Sequence, residues 1–433
     1  MNITIAGIGY IGLVHAVCFA EGGHDVTCID KKEKVELLKN GNIPFYEPEV
    51  RDLLRQNRDM LHFTNNKEEA YRYADFIIIA IPPLINEEGI LDMENIRNCV
   101  ADAAKYAEKN CVITIKSPVP VGTHEEMEQM INEELANNVR IEFVVNPDSL
   151  QLGSAVRDFF HASHIVIGVE SEYGEAVMRE AYKHVQSPFV IINRRSAELL
   201  KYAANGLKAV HNGFMLELSS ICEKSGANIE DIIRGLEQDR RISKQFIQTN
   251  LGYGEVPYIK ENQMLSYLSQ LHEIDPRTLR AAAETHEIHK WRLLNKARKY
   301  YHNFAGLSIA ILGVSCKPET DMIEHAPALS YIKVLLEEGG IIKVWDYAAL
   351  KCVRKIFGDD IEYCSSIEEA LSGADICFIF TKWQDIKYFD VYDFTEYMEQ
   401  PIVLDAVNCF SLCDVEEAGL VYESIGRKKI DGR

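Results

Sequence analysis

The chain has 433 residues, 47% of them hydrophobic and 26% charged, which is enough for two or three domains with ordinary cores. Its net charge of −20 excludes nucleic acid and an anionic membrane surface as natural partners, while a local basic pocket could still take an anionic ligand. No apolar run is long enough to span a bilayer, the first residues read as a strand and not a leader, and the eleven cysteines show no metal-ligand spacing, so we expect reduced thiols in a cytoplasmic protein.

Ile3-Thr4-Ile5-Ala6 is short, apolar and β-branched, and predicts a buried strand. Gly7-Ile8-Gly9-Tyr10-Ile11-Gly12 follows at once, then an amphipathic run over 13–21, the breaker Gly22-Gly23, and a second strand closed by Asp30. Three glycines between a strand and a helix, with an acid about 20 residues on, form the full dinucleotide-binding context. Gly7 serves the tight turn, Gly9 the close approach of backbone to a pyrophosphate, and Gly12 the packing of helix on strand. The helix N-terminus, through Tyr10 and Ile11, offers free N–H groups to the phosphates. Asp30 accepts hydrogen bonds from ribose hydroxyls and repels a 2′-phosphate, so NAD is expected over NADP.

Helix and strand then alternate. A loop at 41–48 carries two prolines and two aromatics, and Phe76-Ile77-Ile78-Ile79 runs into a rigid Ile81-Pro82-Pro83 end. A strand at 111–115 leads into Lys116-Ser117-Pro118, and one at 141–145 into Asn146-Pro147-Asp148; strands at 164–168 and 189–192 complete a doubly wound α/β unit to residue 195. From 196 to 303 the strand signal disappears. One long helix is expected over 196–225, a second over 229–238 and a third over 275–301, together a helical spine suited to dimerisation. Residues 304–433 restart the pattern: strand, Gly313, helix, Gly339-Gly340, and a strand ending in Asp346. This reads as a second Rossmann-like unit with one glycine of the fingerprint left, hence no second dinucleotide, and residues 427–433 read as a solvated basic tail.

Seven stretches in this order resemble the UDP-glucose/UDP-N-acetylmannosamine 6-dehydrogenase family: residues 7–30, 44–48, 116–123, 146–168, 196–205, 239–254 and 313–327. The resemblance implies an N-terminal NAD domain, a central helical dimer region, a C-terminal nucleotide-binding domain, and a homodimer. It also implies oxidation of a nucleotide sugar's primary alcohol to a carboxylate by two hydride transfers to NAD. A cysteine holds the aldehyde as a thiohemiacetal and then as a thioester. On the matching positions, the resemblance assigns Lys201 and Asn205 to the reaction, Asp148 to acid–base work with Glu261 beside it, and Pro82 and Ser117 to the cofactor. It gives Arg241, Phe246, Tyr253, Gly254, Lys260 and Lys317 to the nucleotide sugar.

The departures cluster at the chemistry. In ungapped register Pro257 stands where Gly-Tyr-Gly-Gly-x-Cys-x-Pro-Lys-Asp has its nucleophile, and Glu261 replaces the closing aspartate. Pro118 replaces a threonine, Asp148 and Leu152 replace two glutamates, and Glu324 replaces an arginine. Without the thiolate the thioester route is closed, and Cys316, next to Lys317, is the one thiol to check for rescue. The expectation is an NAD-linked oxidoreductase of altered chemistry, stopping at the aldehyde, using a different carbon, or oxidising and re-reducing the sugar; ordinary dehydrogenation through a hydrated aldehyde is a third, slower route. The competing expectation is a catalytically degenerate binding or regulatory relative.

Overall fold

The computed structural model describes residues 1–82, 84–85, 91–134, 139–242 and 256–432. It divides into two compact units, Met1–Ala204 and Asn205–Arg433.

The first unit is built on six parallel strands: β1 (Asn2–Ala6), β2 (Asp25–Ile29), β3 (Leu61–Thr64), β4 (Phe76–Ile79), β5 (Cys111–Ile115) and β6 (Ile141–Phe143), in the spatial order 3-2-1-4-5-6. That order reverses between β1 and β4, which opens a crevice at their carboxyl ends. Helices cover both faces, so the central strands are apolar on both sides: Ile3, Ile5, Phe76, Ile77, Ile78 and Ile79 are all buried. Register is fixed by pairs such as Ile5 with Cys28 and with Ile78. Ile165–Gly168 and Phe189–Ile192 pair with each other as a separate two-stranded sheet, joined to the chain after β6 by an antiparallel bridge between Val145 and Gly168.

The second unit repeats the plan. Its strands β7 (Ser308–Leu312), β8 (Ile341–Trp345), β9 (Glu362–Tyr363), β10 (Ile376–Ile379), β11 (Ile402–Asp405) and β12 (Val421–Ser424) lie in the order 9-8-7-10-11-12, the same topology. The long helix Arg194–Ser225 ends where Gly226 takes φ +80°.

Three sequence expectations are corrected. A helix, Val256–Leu271, lies where none was foreseen. The helix expected over 275–301 is two, Arg277–Lys290 and Arg292–Ala297, broken at Trp291, whose ring stacks on Tyr331 at 5.4 Å between centroids. The basic tail is not solvated at its start: Arg427 is buried, donating to Ser424 Oγ, Phe410 O and Tyr422 OH, and Ile430 pairs with Tyr422.

Candidate functional site

The fingerprint lies at the carboxyl end of β1. Gly7 has φ +94°, and a Cβ there would stand 2.8 Å from Ala80 O; a Cβ on Gly12 would stand 1.9 Å from Gly7 O. These two glycines are demanded by the protein's own packing. Gly9 is different. It has ordinary extended backbone (φ −78°, ψ −163°), and a Cβ there would meet nothing within 4 Å. The space above Gly9 is open, and no side chain caps the helix α1 (Tyr10–Glu21) that begins beside it. An uncapped helix N-terminus facing open space is a ready anion cradle.

Asp30 follows β2. Its carboxylate accepts from Ile8 N–H (2.7 Å) and Lys31 N–H (2.8 Å), with Lys34 Nζ at 3.2 Å, and its side chain keeps 16% exposure. A carboxylate has about four lone-pair sites, so capacity remains for a ribose hydroxyl. The matching position in the second unit is closed. Asp346 accepts from Val314 N, Ser315 N, Ser315 Oγ, Ala348 N, Ala349 N and Trp383 Nε1, and Ser315 stands where Gly9 stands. The groove of the first unit therefore fits a dinucleotide, and its counterpart is filled by the chain's own donors.

Ser117 and Pro82 lie at the ends of β5 and β4 on the same rim. Ser117 Oγ donates to Ile81 O at 2.6 Å, and Ile81 lies against Gly7. Glu47, from the proline-rich loop, is buried and accepts from Tyr10 OH (2.7 Å), Gly153 N (2.8 Å) and Ala155 N (2.8 Å). It thereby ties the fingerprint to the loop that carries Asp148. Burial pushes the Glu47 carboxyl above the usual range.

Beneath that loop lies a polar cluster. Lys116 Nζ donates to Asn146 Oδ1 (2.6 Å) and to Tyr182 OH (3.4 Å), and Tyr182 OH donates to Asn146 Oδ1 (2.7 Å). Asp148 Oδ1 faces His15 Nε2 at 3.9 Å, while His15 Nδ1 lies 2.8 Å from Ile11 O. Burial, aided by the charge of Lys116, pushes His15 down to about 4. Burial pushes Lys116 down to about 8, with Asp148 opposing the change and Lys201 adding to it.

A cleft opens beside this cluster, lined among others by Lys116, Ser117, Pro118, Glu198, Lys201 and Tyr202. The long helix supplies Glu198, Lys201 and Tyr202 to the cleft, and Asn205, one turn beyond Lys201, falls in the second unit. Glu198 is held in place: it accepts from Gly122 N (2.5 Å) and His124 N (3.1 Å), and His124 Nδ1 lies 2.6 Å away. Since Ile115 N donates to His124 Nε2, the His124 proton sits on Nδ1.

The structure thus brings Gly7, Gly9, Tyr10, Ile11, Gly12, Asp30, Pro82, Ser117, Asp148 and Lys201 into one unit. Lys317 is half-buried just beyond β7 in the other. Arg241 is exposed and forked onto Asp239, with Nε 2.9 Å from Oδ1. Phe246, Tyr253 and Gly254 lie outside the described residues. Pro257, Lys260 and Glu261 lie in the first two turns of the helix Val256–Leu271, where a proline is readily accommodated. Cys316 is pushed up to about 12 by burial, so its thiol stays protonated and is no nucleophile at neutral pH. Missing from the sequence reading were Glu47, His15 and Tyr182 as contributors, and Lys116 as more than part of a motif. Only Lys116, beside Ser117, carried a local signal.

The parallel sheet, the open glycine cradle and the ribose-facing acid define an NAD-linked dehydrogenase of the Rossmann class. The chain belongs to the UDP-glucose/GDP-mannose dehydrogenase family: the family's NAD-binding domain matches residues 1–186, its central domain 195–287 and its UDP-binding domain 310–412. It is 36% identical over 433 residues to the UDP-glucose 6-dehydrogenase YwqF of Bacillus subtilis, covering 99% of this chain and 98% of that one. It is 34% identical to the UDP-glucose 6-dehydrogenase of Rhizobium meliloti, covering 99% and 100%. The solved UDP-glucose dehydrogenase of Pyrobaculum islandicum superposes with a TM-score of 0.88 at 26% identity, covering 98% and 96%.

Proposed function

We propose that the chain oxidises the primary alcohol of a UDP-sugar such as UDP-glucose with NAD, through a hydrated aldehyde and without a covalent sugar–enzyme intermediate. The observation that carries this reading is that Lys116 and Lys201 line one cleft in the unit that holds the open glycine cradle, with the charge of Asp148 acting on Lys116. Bound NAD supplies a hydride acceptor at its nicotinamide. The chain supplies the rest. Asp148 takes the alcohol proton as the hydride leaves carbon, and Lys201 offsets the negative charge that develops on oxygen. The aldehyde needs a tetrahedral, electron-rich carbon before a second hydride leaves. Pro257 offers no sulfur, so water adds to the carbonyl in its place. The balance is one alcohol, one water and two NAD⁺ giving one carboxylate, two NADH and three protons.

The assignments of Asn205, Glu261, Lys260, Lys317, Arg241, Phe246, Tyr253 and Gly254 to the sugar nucleotide rest on motif register and family membership. So does the three-part division at 195 and 303. A homodimer is supported by an apolar stripe at seven-residue spacing on the long helix: Leu207, Phe214 and Ile221 are 49%, 58% and 60% exposed. The eleven cysteines are free thiols, seven of them buried, which fits a reducing cytoplasmic setting. No described helix is long and apolar enough to cross a membrane.

Pro257, Pro118 and Leu152 together favour a second reading, a member of the family that binds its ligands and no longer turns them over. Incubation with NAD and a panel of nucleotide sugars separates the two. Formation of reduced nicotinamide with a matching change in sugar mass supports the oxidoreductase; NAD binding with every sugar recovered intact supports the binding relative.

A further inference from the structure

Lys116 is 4% exposed, yet no carboxylate lies within ion-pair distance of its Nζ among the described residues. Its two described partners, Asn146 Oδ1 and Tyr182 OH, are neutral oxygens, whereas an ammonium has three donors. A buried ammonium whose counter-charge, Asp148, acts from beyond ion-pair distance is costly and is stabilised by whatever completes it. Glu198, which lines the same cleft, is held by Gly122, His124 N and the His124 ring, and no described ion pair joins it to Lys116. Pro118 adds no hydroxyl. Lys116 and Lys201 both line the cleft.

We propose that Lys116, together with Lys201, forms a carboxylate subsite that holds the oxygens of the sugar carbon once it has been oxidised. The subsite rests on the functional reading above and deepens it. It makes the cleft selective for the oxidised over the unoxidised sugar, and it gives the oxyanion that precedes the carboxylate a second cationic contact. The groups facing Lys116 are Asp148 and Asn146 from the loop after β6, Lys201 and Glu198 from the long helix, His15 from α1, and Tyr182. His15, held near 4, and Tyr182, pushed well above its usual range by burial, do not change charge between pH 7 and 9.

The test is calorimetric titration of the full chain, with NADH present, by UDP-glucuronate and by UDP-glucose. In the unmodified protein the uronate affinity should fall about tenfold from pH 7 to pH 9 while that of UDP-glucose stays level. In Lys116→Gln the uronate affinity should be about tenfold weaker at pH 7 with most of its pH dependence gone, and UDP-glucose should bind within twofold of the unmodified chain. A uronate affinity level with pH in the unmodified protein overturns the subsite even if the variant fails to fold. Equal weakening of both ligands in Lys116→Gln overturns it too, since that is the signature of a merely structural lysine. Failure of the unmodified protein to bind either nucleotide sugar overturns the functional reading itself, and the subsite with it.

Discussion

Gly9→Ala separates ligand binding from folding more cleanly than any other change in the fingerprint. The backbone at Gly9 is extended and allowed to alanine, and the new methyl group would meet no protein atom within 4 Å. Restricting the unfolded chain should then stabilise the protein by about 0.4–1 kcal/mol. The methyl would occupy the space through which a diphosphate reaches the N–H groups at the start of α1. Losing one charge-assisted backbone contact costs about 1.5–3 kcal/mol, or about 10- to 150-fold in Kd. Gly12→Ala is the control, because its methyl would sit 1.9 Å from Gly7 O. That overpacking should cost about 1–3 kcal/mol, lowering Tm by about 2–4 °C for each kcal/mol in a unit of this size. The assay is NAD titration by calorimetry alongside thermal melting of all three proteins. Gly9→Ala should melt at or above the parent temperature and bind NAD at least about tenfold more weakly. Undiminished NAD affinity in a folded Gly9→Ala protein would refute the cradle.

Two further outcomes follow from the geometry. His15 is held near 4 against an ordinary 6.5, so between those values the unfolded chain takes up a proton that the folded chain refuses. Stability from this group is complete above pH 6.5 and is lost as pH falls toward 4, by roughly 3 kcal/mol; melting curves across that window should be less steep in pH for His15→Gln, and identical slopes would count against the assignment. Phe214→Glu places a charge in the middle of the exposed stripe of the long helix, and light scattering should show the mass of one chain where the parent shows two. A parent protein of one-chain mass would remove the dimer from the account.

The glycine fingerprint was legible because each part of it is local: strand, turn, helix and acid follow within 30 residues, and the backbone demands of Gly7 and Gly12 need no knowledge of the rest of the chain. The repeated sheet was legible for the same reason, since Gly313 and Asp346 keep the order of Gly7 and Asp30, a glycine after the first strand and an acid after the second. The cluster under Asp148 was not. Lys116 meets Tyr182 across 66 residues and Asn146 across 30, and no periodicity encodes such meetings. Arg427 misled through composition: a run of basic residues reads as solvated, but this guanidinium finds oxygens of Ser424, Phe410 and Tyr422 and an ion pair with Glu230 in the fold. The helix Val256–Leu271 was missed because its apolar residues fall on all sides instead of in a stripe and because Pro257 reads as a breaker, although a first-turn proline is compatible with a helix. The break at Trp291 depends on a ring packed against Tyr331, which only the folded unit supplies.

Oxidation without a covalent sugar adduct is tested most directly by recording the intact mass of the protein during turnover of UDP-glucose with NAD, while counting NADH formed per uronate released. Two NADH per carboxylate, with the protein at its unmodified mass throughout, is the expected outcome. A protein species heavier by one sugar nucleotide, or NAD bound with no NADH formed, would contradict it.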